Sequence, residues 1–493
     1  MAQEYATLRE AAERHGQGRI FRWWGELNDA ERANLLAQVA EIDFPLVERL
    51  IAEHLRGEAP KTDLGELVPA EPIPLPTTEA EREARRHAAA TGEAAVRAGQ
   101  VAAVAVAGGR GSRLGYDAPK GTYPVAPITG KSLFQLHAEK ILAASRRYGV
   151  AIPWYIMTSE ATDRAVRAYF ADRQYLGLPA QDVSFFQQAW MPAVGFDGKI
   201  LLAEKGRIAT SPNGHGGTLR ALRESGALDD MRRRGIRTIS YFQVDNSLIQ
   251  IIDPVFLGFH VERGADFSSK ALQKRDAEEG LGAFCKVPRE SATAGLPAVA
   301  TVGEPTVALC GPLRVVEYSD LPAHYRYAMR PNGSLVFSAG SIAIHAISVE
   351  FVERLGAQGI ALPFHRARKR IAHVDEQGHR VEPNHPNGIQ FESFIFDAIP
   401  HARNPVVLMV ERCEEFAPIK QAAGEDSPAT ARQAQVNLFG RWLEEAGVAV
   451  PRDARGNVLG AIEISPLYAL DAEELRRRLP RGTRLDIHLN LQP

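Results

Sequence analysis

The first part of the chain carries hydrophobic residues at the spacing of an amphipathic helix. Between residues 4 and 56, apolar side chains recur with the period of one helix face. The repeat is carried by Leu35, Leu36, Val39, Ile42, Phe44, Val47, Leu50 and Ile51. The pattern predicts a small helical unit in this region.

Proline dominates the next stretch. Residues 57–78 hold Pro60, Pro69, Pro72, Pro74 and Pro76. Proline removes a backbone donor and biases the preceding residue toward extended conformations. We therefore expect an extended connection over the surface, followed by another helix in the alanine-rich and charged residues 79–99.

The hydrophobic pattern changes at Val101, where a short apolar run is typical of a strand buried on both faces of a parallel sheet. Helical and strand patterns then alternate. Helices are predicted over 132–148 and 162–170, and strands over 154–157 and 238–244, the last followed by Asp245. This alternation predicts an α/β fold with a central doubly wound mixed sheet, whose ligands bind beyond the carboxyl ends of the strands.

The character of the chain shifts again around Pro400. A helix is predicted over 429–446, followed by short strands up to Pro493. We predict three domains: an N-terminal helical region with its proline-rich connection (1–98), a central α/β domain (99–402) and a small C-terminal α+β domain (403–493). A chain of 493 residues agrees with roughly two to four domains.

Charge narrows the classes of ligand. Lys and Arg total 58 against 60 acidic residues, so the net charge is only -2. No overall field attracts nucleic acid or an anionic membrane, and we expect neither as a partner. An anionic ligand must therefore be held by a local site.

Cysteine usage and the start of the chain predict the compartment. Cys285, Cys310 and Cys413 lie far apart, which argues against a disulfide framework or structural zinc and predicts buried, inert thiols. Residues 1–10 lack the apolar segment of a secretory signal, and no apolar run approaches membrane-spanning length. These features predict a cytoplasmic protein, with its oligomeric state undetermined.

A glycine-rich loop follows the Val101 strand and carries the first candidate chemistry. It reads Ala107-Gly108-Gly109-Arg110-Gly111-Ser112-Arg113-Leu114-Gly115, followed by Pro119-Lys120-Gly121. Glycines let backbone amides approach an oxyanion, and Arg113 and Lys120 add positive charge. The loop lacks the Gly-Lys-Ser/Thr of a Walker motif and the spacing of a dinucleotide fingerprint. A triphosphate-binding loop is predicted, with a plain strand-to-helix turn as the alternative.

The loop resembles the signature of the UDP-sugar pyrophosphorylase family, Gly-Gly-x-Gly-Thr/Ser-Arg-Leu-Gly followed by Pro-Lys-Gly. The resemblance continues in order along most of the chain. Further matching motifs are Phe185-Phe186-Gln187-Gln188, Phe196-Asp197-Gly198-Lys199, Pro212-Asn213-Gly214-His215-Gly216-Gly217, Val244-Asp245-Asn246, Val316-Glu317-Tyr318, Phe394-Ile395-Phe396-Asp397 and Glu415-Phe416-Ala417-Pro418-Ile419-Lys420. Residues 428–432 and 463–467 are more similar to the UDP-N-acetylhexosamine pyrophosphorylase branch.

The resemblance implies a Rossmann-like nucleotidyltransferase that transfers uridylyl from UTP to a sugar 1-phosphate. Ala107, Gly108, Gly109 and Gly111 would meet the nucleotide through backbone groups. Gln188, Gly214 and His215 would complete the nucleotide site, with Gln188 both donating to and accepting from the imide edge of uracil. Without the motif, Gln188 is equally interpreted as an amide at the edge of the core.

Catalysis in this family needs cations more than a base, because an ionised sugar phosphate is already a nucleophile. The resemblance implies that Arg113, Lys120 and Lys420 act on the phosphates, and that Asp245 holds Mg2+, the expected cofactor. Lys420 would arrive from the C-terminal domain, which implies closure over the substrates. The alternatives are a turn aspartate and solvated surface cations.

The sugar site is implied at Glu317, Tyr318, Ser341, Phe394 and Phe396. Alternating aromatics also occur in a half-buried strand, so a core role is the alternative for Phe394. His215 stands where the N-acetylhexosamine branch has Asn, and its Gly-His-Gly context follows the UDP-glucose and broad UDP-sugar enzymes instead. Three further asparagines of the family pattern are replaced here by Ser338, Ser341 and Ile344. His215 is interpreted as a donor to phosphate or to a sugar hydroxyl, with a structural loop histidine as the alternative.

The sequence thus predicts an enzyme that makes a UDP-sugar and pyrophosphate, with N-acetylglucosamine 1-phosphate as the leading acceptor. Glucose 1-phosphate or galactose 1-phosphate is the first alternative, including a broad UDP-sugar pyrophosphorylase. A non-catalytic regulatory protein that binds nucleotide sugars is the second alternative. A nucleotidyltransferase that uses another base is the third.

Overall fold

A computed structural model describes residues 2–57, 66–288, 310–480, 482–483 and 488–493. Helices and strands alternate over most of these residues. The helices are α1 Ala2–Arg14, α2 Asp29–Ala40, α3 Phe44–Ile51, α4 Glu79–Arg97, α5 Leu133–Tyr148, α6 Asp163–Asp172, α7 Thr218–Glu224, α8 Ala227–Arg233, α9 Pro254–Glu262, α10 Ala323–Arg326, α11 Val349–Ala357, α12 Arg412–Glu415, α13 Pro428–Glu445 and α14 Ala472–Arg478.

The strands follow the same chain order. They are β1 Val68–Pro69, β2 Val101–Val106, β3 Trp154–Thr158, β4 Val183–Gln187, β5 Trp190–Pro192, β6 Val194–Gly195, β7 Leu202–Glu204, β8 Arg207–Ile208, β9 Thr210–Pro212, β10 Thr238–Gln243, β11 Phe267–Gln273, β12 Ala283–Pro288, β13 Cys310–Val316, β14 Ala339–Ser348, β15 Phe364–Lys369, β16 His373–Val374, β17 Arg380–Val381, β18 Gly388–Ser393, β19 Val406–Met409, β20 Ala461–Ile464 and β21 His488–Leu491.

The largest sheet is mixed, as predicted. Its path runs β1-β12-β14-β10-β2-β3-β4, with β13 paired to β12 and β11 paired to both β14 and β19. β2 lies parallel between β10 and β3, and β14 runs antiparallel to β10. Buried apolar residues without charge suit β2 to this central position, since helices cover both faces of such a strand.

Helix α4 packs closely against α9 because glycine occupies the crossing point on each helix. A Cβ added to Gly92 would lie 1.9 Å from the Pro254 carbonyl oxygen, and one added to Gly258 would lie 1.7 Å from the Ala88 carbonyl oxygen. Glycine in a helix costs roughly 1 kcal/mol of propensity, which the close backbone packing offsets here. The predicted helix 79–99 is confirmed as α4.

The described chain forms two compact units, each built from separated segments. Unit 1 contains residues 1–65, 188–217 and 361–397, and unit 2 contains 66–187, 218–360 and 398–493. The three domains predicted from the sequence stay a prediction.

Unit 1 holds the predicted N-terminal helices and several short strand pairs. Ile20, Leu35, Val39, Val194 and Phe391 belong to one buried cluster, so α2 shares a core with strands that occur much later in the chain. An Asn28–Glu31 capping box begins α2. The helical unit is therefore confirmed, but its core is completed by strands.

In unit 2, the predicted helix 429–446 is observed as α13, and the predicted C-terminal strands as β20 and β21. Ser427 caps α13 and begins a capping box. Trp442 on α13 and Ile462 on β20 belong to the same buried cluster as Val125 and Leu133, which lie in the segment after the glycine loop.

The sequence predicted buried cysteine thiols, and the structure gives the exposure of two of them. Cys285 is buried, as predicted, but Cys413 is exposed, so the expectation of buried thiols is wrong there. Cys413 lies on the four-residue helix α12, which is too short to bury both faces. The side chain of Cys310 lies outside the described residues.

None of the described helices combines the length and the apolar character needed to cross a bilayer.

Candidate active site

The glycine loop begins where β2 ends and folds back on itself. The Gly111 amide donates to the Ala118 carbonyl at 2.9 Å, and the Lys120 amide donates to the Gly109 carbonyl at 3.0 Å. A Cβ on Gly111 would lie 2.8 Å from the Tyr116 carbonyl oxygen, so the turn requires glycine there. These bonds bring Lys120 back beside the start of the loop.

Two backbone donors in this loop have no acceptor within the part of the chain that the structure describes. Among the described residues, neither the Gly108 nor the Gly109 amide N–H donates a hydrogen bond. Gly109 is exposed, and a Cβ built on it meets no atom within 4 Å. Gly108 itself is buried, so the amide beside open space is that of Gly109, where an anionic ligand can accept from it. Ala107 is buried at the end of the strand, where its amide bonds to the Met157 carbonyl.

Lys120 and Asp245 meet at the carboxyl ends of neighbouring parallel strands. Lys120 Nζ donates to Asp245 Oδ2 at 3.0 Å, and the two side chains are only 20% and 17% exposed. Asp245 follows β10 directly after Val244, as the sequence predicted. The pair places a hard oxygen ligand and a cation beside the glycine loop.

The Asp245 segment is bonded to the segment that carries Lys420. The Ile419 amide donates to the Asp245 carbonyl at 3.0 Å, and the Ala417 amide donates to Asn246 Oδ1 at 2.9 Å. Asn246 Nδ2 donates in turn to the Glu415 carbonyl at 2.6 Å. The motif around Lys420 therefore lies beside the motif around Asp245, although the two are far apart in sequence.

The other two predicted cations, Lys420 and Arg113, form no ion pair with Asp245 among the described residues. Lys420 Nζ lies 3.4 Å from Asp426 Oδ2 and is 45% exposed. Arg113 is exposed, and no hydrogen bond or ion pair of its side chain occurs within the described part of the chain. The structure thus brings Lys120 to Asp245 but leaves Arg113 and Lys420 as exposed cations.

Three predicted sugar residues gather around one short segment, Gly280 to Gly282. The Ser341 amide donates to the Gly282 carbonyl at 2.8 Å. A Cβ on Gly282 would lie 3.4 Å from Glu317 Oε1, and one on Gly280 would lie 3.7 Å from Tyr318 Cε1. The ring of Tyr318 is 41% exposed and can contact a ligand.

The strand that carries Ser341 is irregular at this point. Ser269 pairs with His345 whereas Ala271 pairs with Ser341, so the bulge places extra β14 residues opposite Lys270. Ala343, inside the bulge, has φ +55°, an unusual conformation for a residue other than glycine. The bulge contains Ile344 and adjoins Ser341, two positions at which the family pattern has asparagine.

The other predicted residues belong to unit 1. Gln188 is buried, at 8% exposure. Gly214 has φ +85°, and its Cβ would lie 2.3 Å from the Ser393 carbonyl oxygen. A Cβ on Gly216 would lie 2.7 Å from the Phe394 amide nitrogen. The glycines of this motif therefore let the 213–217 turn lie directly on the end of β18.

His215 is held among aromatic rings on that turn. Its ring centroid lies 5.4 Å from that of Phe394, in a stacked arrangement, and 5.9 Å from that of Phe396. Burial lowers the pKa of His215 to about 4, so the ring is neutral near pH 7. Nδ1 accepts from the Ile395 amide at 3.2 Å, which assigns the proton to Nε2. His215 is thus a neutral donor.

Sequence reasoning missed a second histidine in this cluster. His365 stacks on Phe394 at 4.5 Å, and its Nε2 lies 2.8 Å from Asp397 Oδ2. Asp397 belongs to a motif quoted for the family resemblance, but His365 lies on β15 without a distinguishing pattern. Only the pairing of β15 with β18 brings it to Phe394.

Comparison with known proteins identifies the same family as the sequence motifs. Residues 62–301 match the family described as UTP--glucose-1-phosphate uridylyltransferase. The UDP-N-acetylhexosamine pyrophosphorylase-like protein 1 of Xenopus tropicalis is 36% identical, over 96% of this chain and 94% of its own length. The UDP-N-acetylglucosamine pyrophosphorylase of Saccharomyces cerevisiae is 34% identical, over 88% of this chain and 90% of its own. The chain belongs to the UDP-sugar pyrophosphorylase family.

A solved structure of the UDP-sugar pyrophosphorylase family has the same fold. The uridine diphosphate N-acetylglucosamine pyrophosphorylase of Trypanosoma brucei, crystallised with an inhibitor, superposes with a TM-score of 0.79 at 25% identity. The match covers 99% of this chain and 98% of that one. The predicted family and fold class are therefore confirmed.

The donor set around Asp245 fits the metal expected of a UDP-sugar pyrophosphorylase. The described residues hold no group of three or more His, Cys, Asp or Glu side chains that would bind a cation alone. Mg2+ commonly takes only one or two carboxylates and completes its shell with water and substrate phosphates. Asp245, with a carboxylate oxygen that accepts from Lys120, suits a magnesium ion that arrives with a triphosphate.

Proposed function

We propose that this protein is a uridylyltransferase that makes UDP-N-acetylglucosamine and pyrophosphate from UTP and N-acetylglucosamine 1-phosphate. The observation that carries the proposal is the Lys120–Asp245 pair at the glycine loop, where the Gly108 and Gly109 amides donate to no acceptor among the described residues. Full-length similarity to N-acetylglucosamine pyrophosphorylases supports the choice of sugar.

The reaction is an in-line displacement at the α-phosphorus of UTP. An oxygen of the sugar 1-phosphate forms the new bond, and the bond from the α-phosphorus to the bridging oxygen breaks. Pyrophosphate leaves with that electron pair. The incoming phosphate is already ionised, so catalysis depends on aligning two anions and neutralising the charge that develops.

Each residue of the candidate site has a role in this proposal. The amides of Gly108 and Gly109 bind the triphosphate, and Arg113 and Lys120 follow the leaving pyrophosphate. Asp245 would hold Mg2+, which supplies charge neutralisation on the phosphates when bound. Lys420 contributes positive charge from a segment bonded to Asp245 through Ile419.

The uracil and the sugar are recognised by separate groups of residues. Gln188 pairs with the imide edge of uracil. Glu317, Tyr318 and Ser341 bind sugar hydroxyls, while Phe394 and Phe396 line the sugar substituent. His215, neutral with its proton on Nε2, donates to a phosphate or hydroxyl oxygen.

Pyrophosphate release tests the proposal directly. Purified protein is incubated with UTP, Mg2+ and one of a panel of acceptors: the 1-phosphates of N-acetylglucosamine, N-acetylgalactosamine, glucose and galactose. We expect the highest kcat/KM with N-acetylglucosamine 1-phosphate. A preference for glucose 1-phosphate would overturn the choice of sugar, and no release with any acceptor would overturn the enzymatic function.

Nucleotide competition tests the choice of base. ATP, dTTP and CTP are added in excess to the UTP reaction, and UDP-sugar formation is followed. We expect little inhibition by ATP and CTP, because neither adenine nor cytosine has the N3–H donor between two carbonyl acceptors that forms the imide edge of uracil. Thymine has the same imide edge, so dTTP is the competitor that the Gln188 amide by itself does not exclude. Gln188→Glu removes the donor and should reduce kcat/KM for UTP by about tenfold to a hundredfold.

A further inference from the structure

A cavity lies in unit 2, and none of the predicted site residues is among those that line it. Its volume is about 500 Å3, within the range of small-molecule sites. Its walls come from α5, α13, α14 and the segment after Asp245. Part of the lining is apolar and comes from Leu136, Ile249, Ile251, Leu438, Phe439 and Trp442, while charged side chains such as Lys140, Arg147 and Asp471 line the rest.

Lys140 is a cation on the cavity wall whose hydrogen-bond acceptors within the described residues are backbone carbonyls. The ammonium group of Lys140 donates to the Ser247 carbonyl at 2.7 Å and to the Ile249 carbonyl at 2.9 Å. An ammonium group has three donors, so one remains. Among the described residues, no carboxylate lies within ion-pair distance of Lys140.

The carboxylates on the same wall already have partners. Glu93, Asp253, Glu414, Asp471 and Glu473 each form an ion pair with an arginine or a lysine. Glu463 accepts hydrogen bonds from Ile128 and Thr129. Lys140 is therefore the wall charge that lacks an anionic partner within the described chain, and a ligand that supplies an acceptor there gains a charge-assisted hydrogen bond.

The carbonyls that Lys140 binds belong to the segment that continues from Asp245. Ser247 donates through its amide and its hydroxyl to the Ala417 carbonyl, at 3.3 and 3.2 Å. Ala417 bonds back to Asn246, and Ile419 bonds to Asp245. Lys140 is therefore connected by hydrogen bonds, through Ser247, to the contacts that place Asp245 beside the Lys420 segment.

We propose that this cavity is a regulatory site for a small amphipathic anion, with a planar apolar body among Leu438, Phe439 and Trp442 and its acidic group on Lys140. Occupancy changes the position of the Asp245–Lys420 segments and hence the rate of uridylyl transfer. This second part rests on the proposed function; binding in the cavity does not. Burial lowers the pKa of Lys140 to about 7, and a bound anion restores its charge.

Anilinonaphthalene sulfonate, an aromatic anion that fluoresces in apolar surroundings, serves as the probe. Its fluorescence is titrated against the full chain, and quenching of tryptophan emission by energy transfer is recorded. We expect saturable binding that Lys140→Met weakens at least tenfold. Lys140→Arg keeps the charge and should bind within threefold of the wild type, and Arg146→Met, which removes an exposed cation from the same helix, is the matched control.

Trp442→Phe locates the probe. It should retain binding but lose a large part of the quenching, because Trp442 lies on the cavity wall. Equal binding by the wild type and Lys140→Met, or unchanged quenching in Trp442→Phe, would overturn the cavity as a site for anions.

Coupling is tested with saturating probe in the pyrophosphate assay. Turnover of the wild type should change at least twofold, whereas Lys140→Met should not respond. Unchanged turnover of the wild type with probe bound would overturn regulation. If no acceptor supports turnover without probe, the proposed function fails instead, and coupling is measured as the change in UTP affinity by equilibrium dialysis.

Discussion

At the scale of single residues, each of the two units has an unusual feature among its predicted site residues: a largely buried ion pair in unit 2 and a left-handed glycine in unit 1. Asp245 and Lys120 are largely buried and bonded to each other, and Gly214 adopts a left-handed conformation against β18. Each of these features has a measurable consequence. One concerns catalysis and the other concerns stability.

Asp245→Asn tests the carboxylate. Asparagine keeps the size but loses the charge that attracts both Mg2+ and Lys120, so we expect kcat to fall by about 100-fold to 1,000-fold, the usual cost of losing one electrostatic group. The Mg2+ concentration for half-maximal rate should rise. Asp229→Asn, on an exposed turn of α8, is the control, and a variant with full activity and unchanged Mg2+ dependence would rule out the metal role.

Gly214→Ala tests the turn beneath His215. The added Cβ meets the Ser393 backbone and must also tolerate a positive φ, so the free energy of unfolding should fall by about 2 kcal/mol or more. Gly226 has a similar φ of +78° but open space around it. Gly226→Ala isolates the conformational cost, about 1 kcal/mol. Equal losses in urea denaturation would show that contact with β18 is unimportant.

At the scale of elements, the helices that cover the sheet carry buried histidines. Burial lowers the pKa of His137 on α5 to about 3 and that of His260 on α9 to about 4. His260 Nδ1 lies 2.8 Å from Ser268 Oγ on β11, and His137 Nε2 lies 2.9 Å from the Val244 carbonyl oxygen. Both rings are therefore neutral parts of the helix–sheet interface.

These shifts predict how stability depends on pH. Between about pH 4 and 6.5 the unfolded histidine binds a proton that the folded one does not, so the free energy of unfolding falls as pH falls through this window. For His260 the loss from pH 7 to 5 is on the order of 1–2 kcal/mol. His260→Gln should flatten the pH dependence of the free energy of unfolding. An unchanged slope in His260→Gln would refute the assignment.

At the scale of the whole molecule, the last part of the chain shares its core with the glycine-loop region. Trp442 and Ile462 belong to the same buried cluster as Val125 and Leu133. Arg432 donates to the Pro124 carbonyl, and Glu463 accepts from the Thr129 amide. Packing of α13 therefore supports the segment that returns from the glycine loop.

Trp442→Ala tests this shared core. We expect a loss of about 3 kcal/mol or more in the free energy of unfolding, because a large buried ring is removed. Hydrogen exchange should accelerate in α13 and also in α5, which follows the glycine loop. Acceleration confined to α13, α14 and β20 would instead indicate an independent C-terminal domain.

Local sequence patterns were sufficient for the elements and for the family. The uncharged run of β2, the caps Ser132 and Ser427, and the glycines of the nucleotide loop each act over a few residues, so they are visible in the sequence. The same is true of Asp245, which directly follows a buried strand. Motif order then identified the UDP-sugar pyrophosphorylase family, which the comparisons confirmed.

Tertiary structure alone decided which distant residues meet. The bond between Lys120 and Asp245, the stacking of His365 on Phe394, the exposure of Cys413 and the cavity beside Lys140 all depend on pairings across long stretches of chain. Sequence periodicity reports which face of an element is buried but not what it is buried against. The partners are selected by sheet order and packing, which exist only once the whole chain has folded.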